Sequence, residues 1–445
     1  MTARPLSLLL ALTLAACSGG GDGGPIQPPP ENTEAQMTAW VKANAIPFST
    51  PRAGNGFADL QPVKAIVGDA RVVSLGEATH GTREFFEMKH RMFEFLVREM
   101  GFTVFAIESE WAEAARLDEY VQTGRGDPHR LLTGLHFWTW RTQEVLDLIH
   151  WMRAYNADPA NVKKVSFVGV DAQFPTLAMD TTLAYLRRAD PAAATVATER
   201  YSCLRPYSND VVTGATPTPY PSIGIVRMLE CRDQVRQVHA DLAANRERLT
   251  AATSPAEYEF ALRAARLAAQ GEDVRSGRDS GSRDRYMAEN AEWWLDQAGP
   301  GGKMVLWAHN AHVSTVPPWM GFHLRLRYGG EMRVFGFSFF QGEFTAVNLD
   351  GGPFGTYAFG AAPTFTYEYR FHTAGLPRFI LDLRPAATDP AARWLMGPLS
   401  VREVGCCVKP SVPGEGLKML SLPTAYDAII HFESTTASRI IPVVR

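Results

Sequence analysis

The 445-residue chain carries little net charge, few cysteines and none of the common catalytic glycine motifs. Its formal net charge is -3, whereas a nucleic-acid binder would show a basic surplus. The apolar stretch Leu6 to Leu14 is too short to span a bilayer in a mature protein. No G-x-S-x-G elbow is present, which argues against a serine hydrolase of the α/β-hydrolase kind. No H-E-x-x-H helix is present, so the commonest zinc-protease arrangement is excluded. No Walker-type or dinucleotide-binding glycine loop joins a strand to a helix. The five cysteines do not cluster as a structural zinc site, and none lies in a nucleophile context.

What is present is ordinary globular composition, 46% hydrophobic and 20% charged. It fits one large α/β domain, or such a domain with a substantial insertion. The N-terminus reads as an export signal. Arg4 and the apolar run lead to Leu14-Ala15-Ala16-Cys17, which resembles a bacterial lipobox. Residues 1–17 are then a lipoprotein signal peptide, with Cys17 as the lipidated first mature residue. An ordinary cleaved signal with a coincidental cysteine is the alternative. Ser18 after Cys17 favours the outer membrane, facing the periplasm, with lipid as the only membrane contact. Residues 18–33 are Gly- and Pro-rich and form a flexible tether, leaving 34–445 as the catalytic domain. Export places the remaining cysteines in an oxidising compartment. Cys203 and Cys231 flank the prolines 217, 219 and 221 and could pair. The neighbours Cys406 and Cys407 are expected to pair elsewhere or not at all.

Periodicity predicts alternating strands and helices. A helix is expected over Glu34 to Ala43. A buried strand, Arg71 to Leu75, precedes a helix over Thr82 to Met100, which Gly101 stops. The strand Phe102 to Ile107 precedes a helix around Trp111 to Val121. The helix Gln143 to Tyr155 precedes the strand Val165 to Val170. Such β-α-β alternation implies an α/β fold with a mainly parallel sheet flanked by helices. From about 181 to 290 the pattern is helical and Ala-rich, read as an insertion or cap over the carboxyl-end cleft. Its last helix, Arg283 to Leu295, returns the chain to strand Met304 to Trp307. Shorter strands are expected at Arg333 to Phe339, Phe344 to Leu349, Phe379 to Leu383 and Asp427 to Phe432.

The titratable residues fall at strand ends. Glu77 and His80 follow the first of these buried strands, Glu108 the second, Asp171 the third, and His309 and His312 the strand Met304 to Trp307. Ligand sites of open parallel sheets lie at the carboxyl edge, where such loops converge. Singly, each residue has a plainer role. Glu77 would suit a helix N-terminus, and His309 and His312 would pass as ordinary loop residues. Glu108 beside Glu110 would pass as an acidic turn, and Asp171 as a structural hydrogen-bonder supporting the others. Converging, they make an active site: imidazole takes a proton from water, a carboxylate orients it, and a second donor stabilises an oxyanion.

Several long segments resemble the erythromycin esterase family, which includes relatives associated with succinoglycan biosynthesis. They are LGEATHGTREFFEMKHRMFEFLV (Leu75 to Val97), FAIESEW (Phe105 to Trp111), WMRAYN (Trp151 to Asn156), FVGVDAQ (Phe167 to Gln173), RDRYMAEN (Arg283 to Asn290) and WAHNAHV (Trp307 to Val313). The resemblance implies hydrolysis of an ester or macrolide lactone in a deep cleft, with a small molecule as the partner and no cofactor. By position, His80 matches the general base, Glu77 and Glu108 the essential glutamates, and His309 and His312 the histidine pair. Lys89 stands where macrolide-opening members carry an arginine, with Arg91 nearby. Lys and Arg present different donor geometry. Phe137, Trp138 and Trp140 would form an aromatic wall for an apolar substrate, or simply pack in the core. Two other functions compete: a metal-dependent hydrolase using Glu77, His80, Glu108, His309 and His312 as ligands to a divalent ion, and a non-catalytic surface binding module.

Overall fold

The computed structural model describes residues 32–208 and 220–443. The proposed signal peptide, Cys17, nearly all of the tether, and Pro217 and Pro219 lie outside the described residues. The strands run, in chain order, β1 Ala45–Pro47, β2 Val72–Leu75, β3 Val104–Glu110, β4 Ser166–Asp171, β5 Met304–Trp307, β6 Met332–Asn348, β7 Gly355–Phe359, β8 Arg378–Asp382, β9 Leu399–Arg402, β10 Cys407–Val408, β11 Leu417–Leu420 and β12 Ala428–Thr435. The main sheet is ordered β1-β8-β12-β6-β2-β5-β3-β4. From β12 across to β4 every neighbouring pair is parallel, while at one edge β8 runs antiparallel to β12 and β1 antiparallel to β8. The chain is thus an α/β protein with a mostly parallel sheet, as its pattern implied.

Alternation along the central strands explains why they read as continuous apolar runs. In β3, Val104 and Ala106 face one core while Phe105 and Ile107 face the other. In β5, Met304 and Leu306 face the first and Val305 and Trp307 the second. Both faces are therefore dry, as parallel sheets require. The helix Arg83–Met100 covers one face through Phe85, Phe86, Met92 and Phe93. The helix Ser282–Gln297 covers the other through Met287, Ala288, Ala291 and Leu295. Helices between Thr176 and Ser276 pack on each other around a separate apolar cluster that includes Leu183, Tyr201, Val235 and Tyr258.

Two expectations differ from the structure. The segments Arg333 to Phe339 and Phe344 to Leu349 are one 17-residue strand, β6. Between the two expected segments the strand continues through a close approach at Gly342. Gly342 has φ 135°, and a side chain there would strike the Thr435 backbone of β12. Cys406 and Cys407, expected to pair elsewhere or remain free, are bonded to each other. Cys203 bonds Cys231 within the helical layer, Cα atoms 5.6 Å apart. That leaves the neighbours no other cysteine among the described residues.

His431 on β12 is fully buried against Phe371 and Phe379, with Nδ1 2.9 Å from the Ser338 hydroxyl. Burial, helped by the charge of His372, pushes its imidazole down to about 3. Below the unfolded value of about 6.5, the unfolded chain gains a proton that the folded chain refuses, so this group costs stability as pH falls. A His431→Gln variant lacks that cost. Its stability deficit relative to the parent is expected to shrink by about 2 kcal/mol between pH 7 and pH 5. Urea midpoints of both proteins at the two pH values check this, and a pH-independent difference contradicts it.

Candidate active site

The carboxyl ends of β2, β3, β4 and β5 deliver their acids and imidazoles to one place. The loop after β2 begins with Gly76 and turns at Gly81. A Cβ at Gly76 would overlap the Asn310 side chain, and one at Gly81 would overlap the backbone of Thr345. Glycine at both positions lets the loop lie flat between β5 and β6. Glu77, wholly buried, accepts from the Trp307 indole N–H at 2.7 Å and pairs with Lys89 through the same oxygen. Its other oxygen lies 2.5 Å from His80 Nδ1. Burial works to raise the Glu77 carboxyl, but Lys89 and His80 outweigh it and hold it below the usual range.

Glu77 therefore fixes the His80 tautomer. With Nδ1–H directed to the carboxylate, Nε2 carries the lone pair. Nε2 has no hydrogen-bond partner among the described residues, and the ring lines a cavity of about 430 Å³. The same cavity is lined by Glu108, Phe137, Trp138, Trp140, Gln173, Arg283, His309, His312 and the segment from Val404 to Cys407.

His309 lies beside His80, ring centroids 5.0 Å apart. Burial, together with the neighbouring charges of His80 and His312, drives its imidazole well below its ordinary value. It is neutral at pH 7. Its Nδ1 accepts from the Ala311 backbone N–H at 3.2 Å, which places the proton on Nε2. That Nε2–H is buried and has no partner. A neutral imidazole thus offers one unused donor next to the free base of another.

Glu108 serves a different role from Glu77. Its Oε2 accepts from the His309 backbone N–H at 2.9 Å, and its Oε1 accepts from Arg283 Nη2 at 2.7 Å. Burial opposes ionisation, but His312, Arg283 and His80 together hold the carboxyl far below the usual range. Arg283 also binds Asp171 Oδ2 at 2.7 Å, and its Nη1 lies 3.0 Å from His312 Nε2. His312 Nδ1 is 2.7 Å from Asp284 Oδ1. Burial pulls the His312 imidazole down, yet Glu108 and Asp284 outweigh burial and Arg283 and raise it. When neutral, Nε2 accepts from Arg283; when protonated, it can turn to Glu108 Oε1 at 3.3 Å.

Lys89 does not face the cavity. It lies with no exposed surface behind Glu77, its ammonium 4.3 Å from the centroid of the Trp307 ring, and burial pushes it down to about 8 despite Glu77 and Glu108. Arg91 is further away still, tied to Asp59 and to the carbonyls of Thr50 and Gly56. Asp171 is completely buried and holds Arg283. Trp140 fits both of its expected roles: it is buried in the core against Trp307 and still edges the cavity beside His80. Phe137 and Trp138 are half-buried and line it. The residues missed from sequence are Arg283 and its neighbour Asp284, which holds His312. Both lay inside a quoted motif, RDRYMAEN, but at the start of a helix far from the strand ends.

Several of the candidate metal ligands are engaged with one another or with a fixed cation. Glu108, Asp171 and His312 converge on the Arg283 guanidinium, a fixed cation. Among the described residues no group of three or more His, Cys, Asp or Glu side chains is arranged to hold a metal ion.

These features define an α/β protein with an acid–imidazole centre at the carboxyl edge of its sheet. Residues 97–435 match the erythromycin esterase family model. The chain belongs to the erythromycin esterase family, and that membership supports a hydrolase of the esterase kind. It is 27% identical over 298 residues to erythromycin esterase type II of Escherichia coli, covering 62% of this chain and 69% of that protein. It is 22% identical to the putative hydrolase YbfO of Bacillus subtilis, covering 90% and 92% of the two chains. A solved Bacillus cereus protein superposes with a TM-score of 0.81 at 29% identity, covering 92% of this chain and 100% of that one. A solved succinoglycan biosynthesis protein superposes at 0.77 with 27% identity, covering 92% and 99%. A mutant erythromycin esterase in its open conformation shares the fold, with a TM-score of 0.66 at 17% identity over 88% of this chain and 96% of that one.

Proposed function

We propose that the protein cleaves a carboxylic ester, with macrolide lactones as one substrate class, by direct attack of water that His80 deprotonates. The observation that carries this reading is the His80 ring, held at Nδ1 by buried Glu77 and left free at Nε2 in the cavity wall. His80 Nε2 takes a proton as the water oxygen bonds to the ester carbonyl carbon. Glu77 stabilises the imidazolium, and Lys89 and Trp307 keep that carboxylate in place. The His309 Nε2–H donates to the oxyanion. Collapse breaks the bond to the alkoxy oxygen, which takes the proton back from His80. Carboxylic acid and alcohol form, the acid gives its proton to solvent, and no covalent enzyme intermediate arises.

We read the chemistry as metal-independent, a reading supported by the Arg283 guanidinium standing as the cation among Glu108, Asp171 and His312. Lipid on Cys17 would place the reaction at the outer membrane, on the periplasmic side. The test is incubation of the purified protein with macrolides and simple esters, read by mass for addition of one water, before and after chelation. Turnover is expected and should survive chelation. Loss on chelation with rescue by zinc would favour the metal-dependent reading. Binding without turnover would favour a surface binding module.

A further inference from the structure

The bond between Cys406 and Cys407 lies in the cavity wall, together with His80, Trp138 and Trp140. A bridge between neighbours closes the shortest loop and so restrains the unfolded chain least. Cys203–Cys231, with a sequence separation of 28, is the bridge placed to do that work. Nor is the neighbouring pair buried as core: Cys406 is exposed and Cys407 half-buried. Its place at the cavity calls for another account.

The segment carrying it is pinned on two sides. Val404 N–H donates to the Ala78 carbonyl at 2.7 Å, and His80 N–H donates to the Gly405 carbonyl at 3.0 Å. On the other side Val347 N–H donates to the Cys406 carbonyl at 3.0 Å, and Leu349 N–H to the Val408 carbonyl at 2.9 Å. The two sulfurs are thus held in a small closed ring on a pinned backbone. Such a surface loses little conformational freedom when something packs on it, and sulfur makes favourable contacts with apolar and aromatic groups. The cavity divides accordingly. Its titratable side chains, with Gln173, are His80, Glu108, Arg283, His309 and His312, while Phe137, Trp138, Trp140, Val404 and the disulfide form an apolar side interrupted only by Thr139. Phe354, 45% exposed and 5.1 Å from Trp138 between ring centroids, continues the apolar wall outward.

We propose that the Cys406–Cys407 ring is a specificity surface that binds the apolar body of a bulky, ring-containing ester. This rests on the esterase reading above and assigns the part of that cavity that discriminates between its substrates. The Cys406→Ala/Cys407→Ala variant tests it with a macrocyclic lactone and a small acetate ester. Its kcat/KM is expected to fall about tenfold more for the lactone than for the acetate, mainly through KM. Equal losses in kcat on both substrates would mean that the ring only positions His80 through Gly405, and would overturn the proposal. So would no loss.

Should the double variant fail to fold, reduction of a Cys203→Ala/Cys231→Ala protein opens only the cavity bridge. The same selectivity should then vanish on reduction and return on reoxidation; selectivity unmoved by reduction overturns the proposal. Should the parent turn over neither substrate, the esterase reading fails separately. The wall is then read by tryptophan fluorescence titration with the unreacted lactone. Affinity about tenfold weaker after reduction supports the surface, and unchanged affinity overturns it.

Discussion

His80→Ala is expected to lower kcat for ester hydrolysis by about 10²- to 10⁴-fold, the range for loss of a positioned general base. The melting temperature should change little, because the His80 ring borders the cavity and its partner Glu77 keeps Lys89 and Trp307. KM should stay within a few-fold, since the substrate body rests on other walls. Steady-state kinetics beside a thermal melt separate the two effects. Activity retained in a well-folded His80→Ala protein would remove His80 from the base role. A comparable loss in His309→Ala, with the pH profile of kcat keeping its shape, would support an oxyanion donor distinct from the base.

The largest stability effect is expected at Glu77. Glu77→Gln keeps the shape and a hydrogen-bond acceptor but leaves Lys89, wholly buried, without its counter-charge. Breaking one partner of a buried pair typically costs about 3–5 kcal/mol. Lys89 can limit the cost by losing its proton, since burial already pushes it down to about 8 with Glu77 present. Adding Lys89→Met to Glu77→Gln should recover most of the loss, because it replaces the stranded ammonium with an apolar side chain of similar length. Denaturant unfolding of the four members of this cycle checks the coupling. Additive losses would mean that the pair is not a unit. Activity should not return in the double variant, because His80 would still lack the carboxylate that stabilises its protonated form.

Much of the site was legible because it lies where parallel strands end. Glu77, His80, Glu108, Asp171, His309 and His312 each follow a run of apolar residues, and a parallel sheet carries such positions to one edge. The direction of Lys89 was not legible. On the helix Arg83–Met100 it occupies the face turned toward the sheet, and sequence pattern alone reads a charged residue there as a cavity-facing cation. Arg283 was hidden for a different reason. It reaches the strand ends from the first turn of a distant helix, a long-range contact with no local signal. The two adjacent cysteines were misread because neighbouring thiols rarely face each other, and only the pinned turn at Gly405 presents them so. The long strand β6 reads as two segments in the sequence, and between them Gly342 serves close packing against β12.

Arg283 also ties together parts of the molecule that look separable. It begins the helix that closes the Ala-rich helical region, yet its guanidinium neutralises carboxylates on β3 and β4. That helix and the charge balance at the strand ends are therefore one mechanical unit. A displacement of that helix sufficient to admit a larger guest would also withdraw the counterion from Glu108, and so alter the backbone amide and imidazole that Glu108 holds. The wall that Arg283 contributes to the cavity and the charge state of the acid–imidazole centre are therefore coupled.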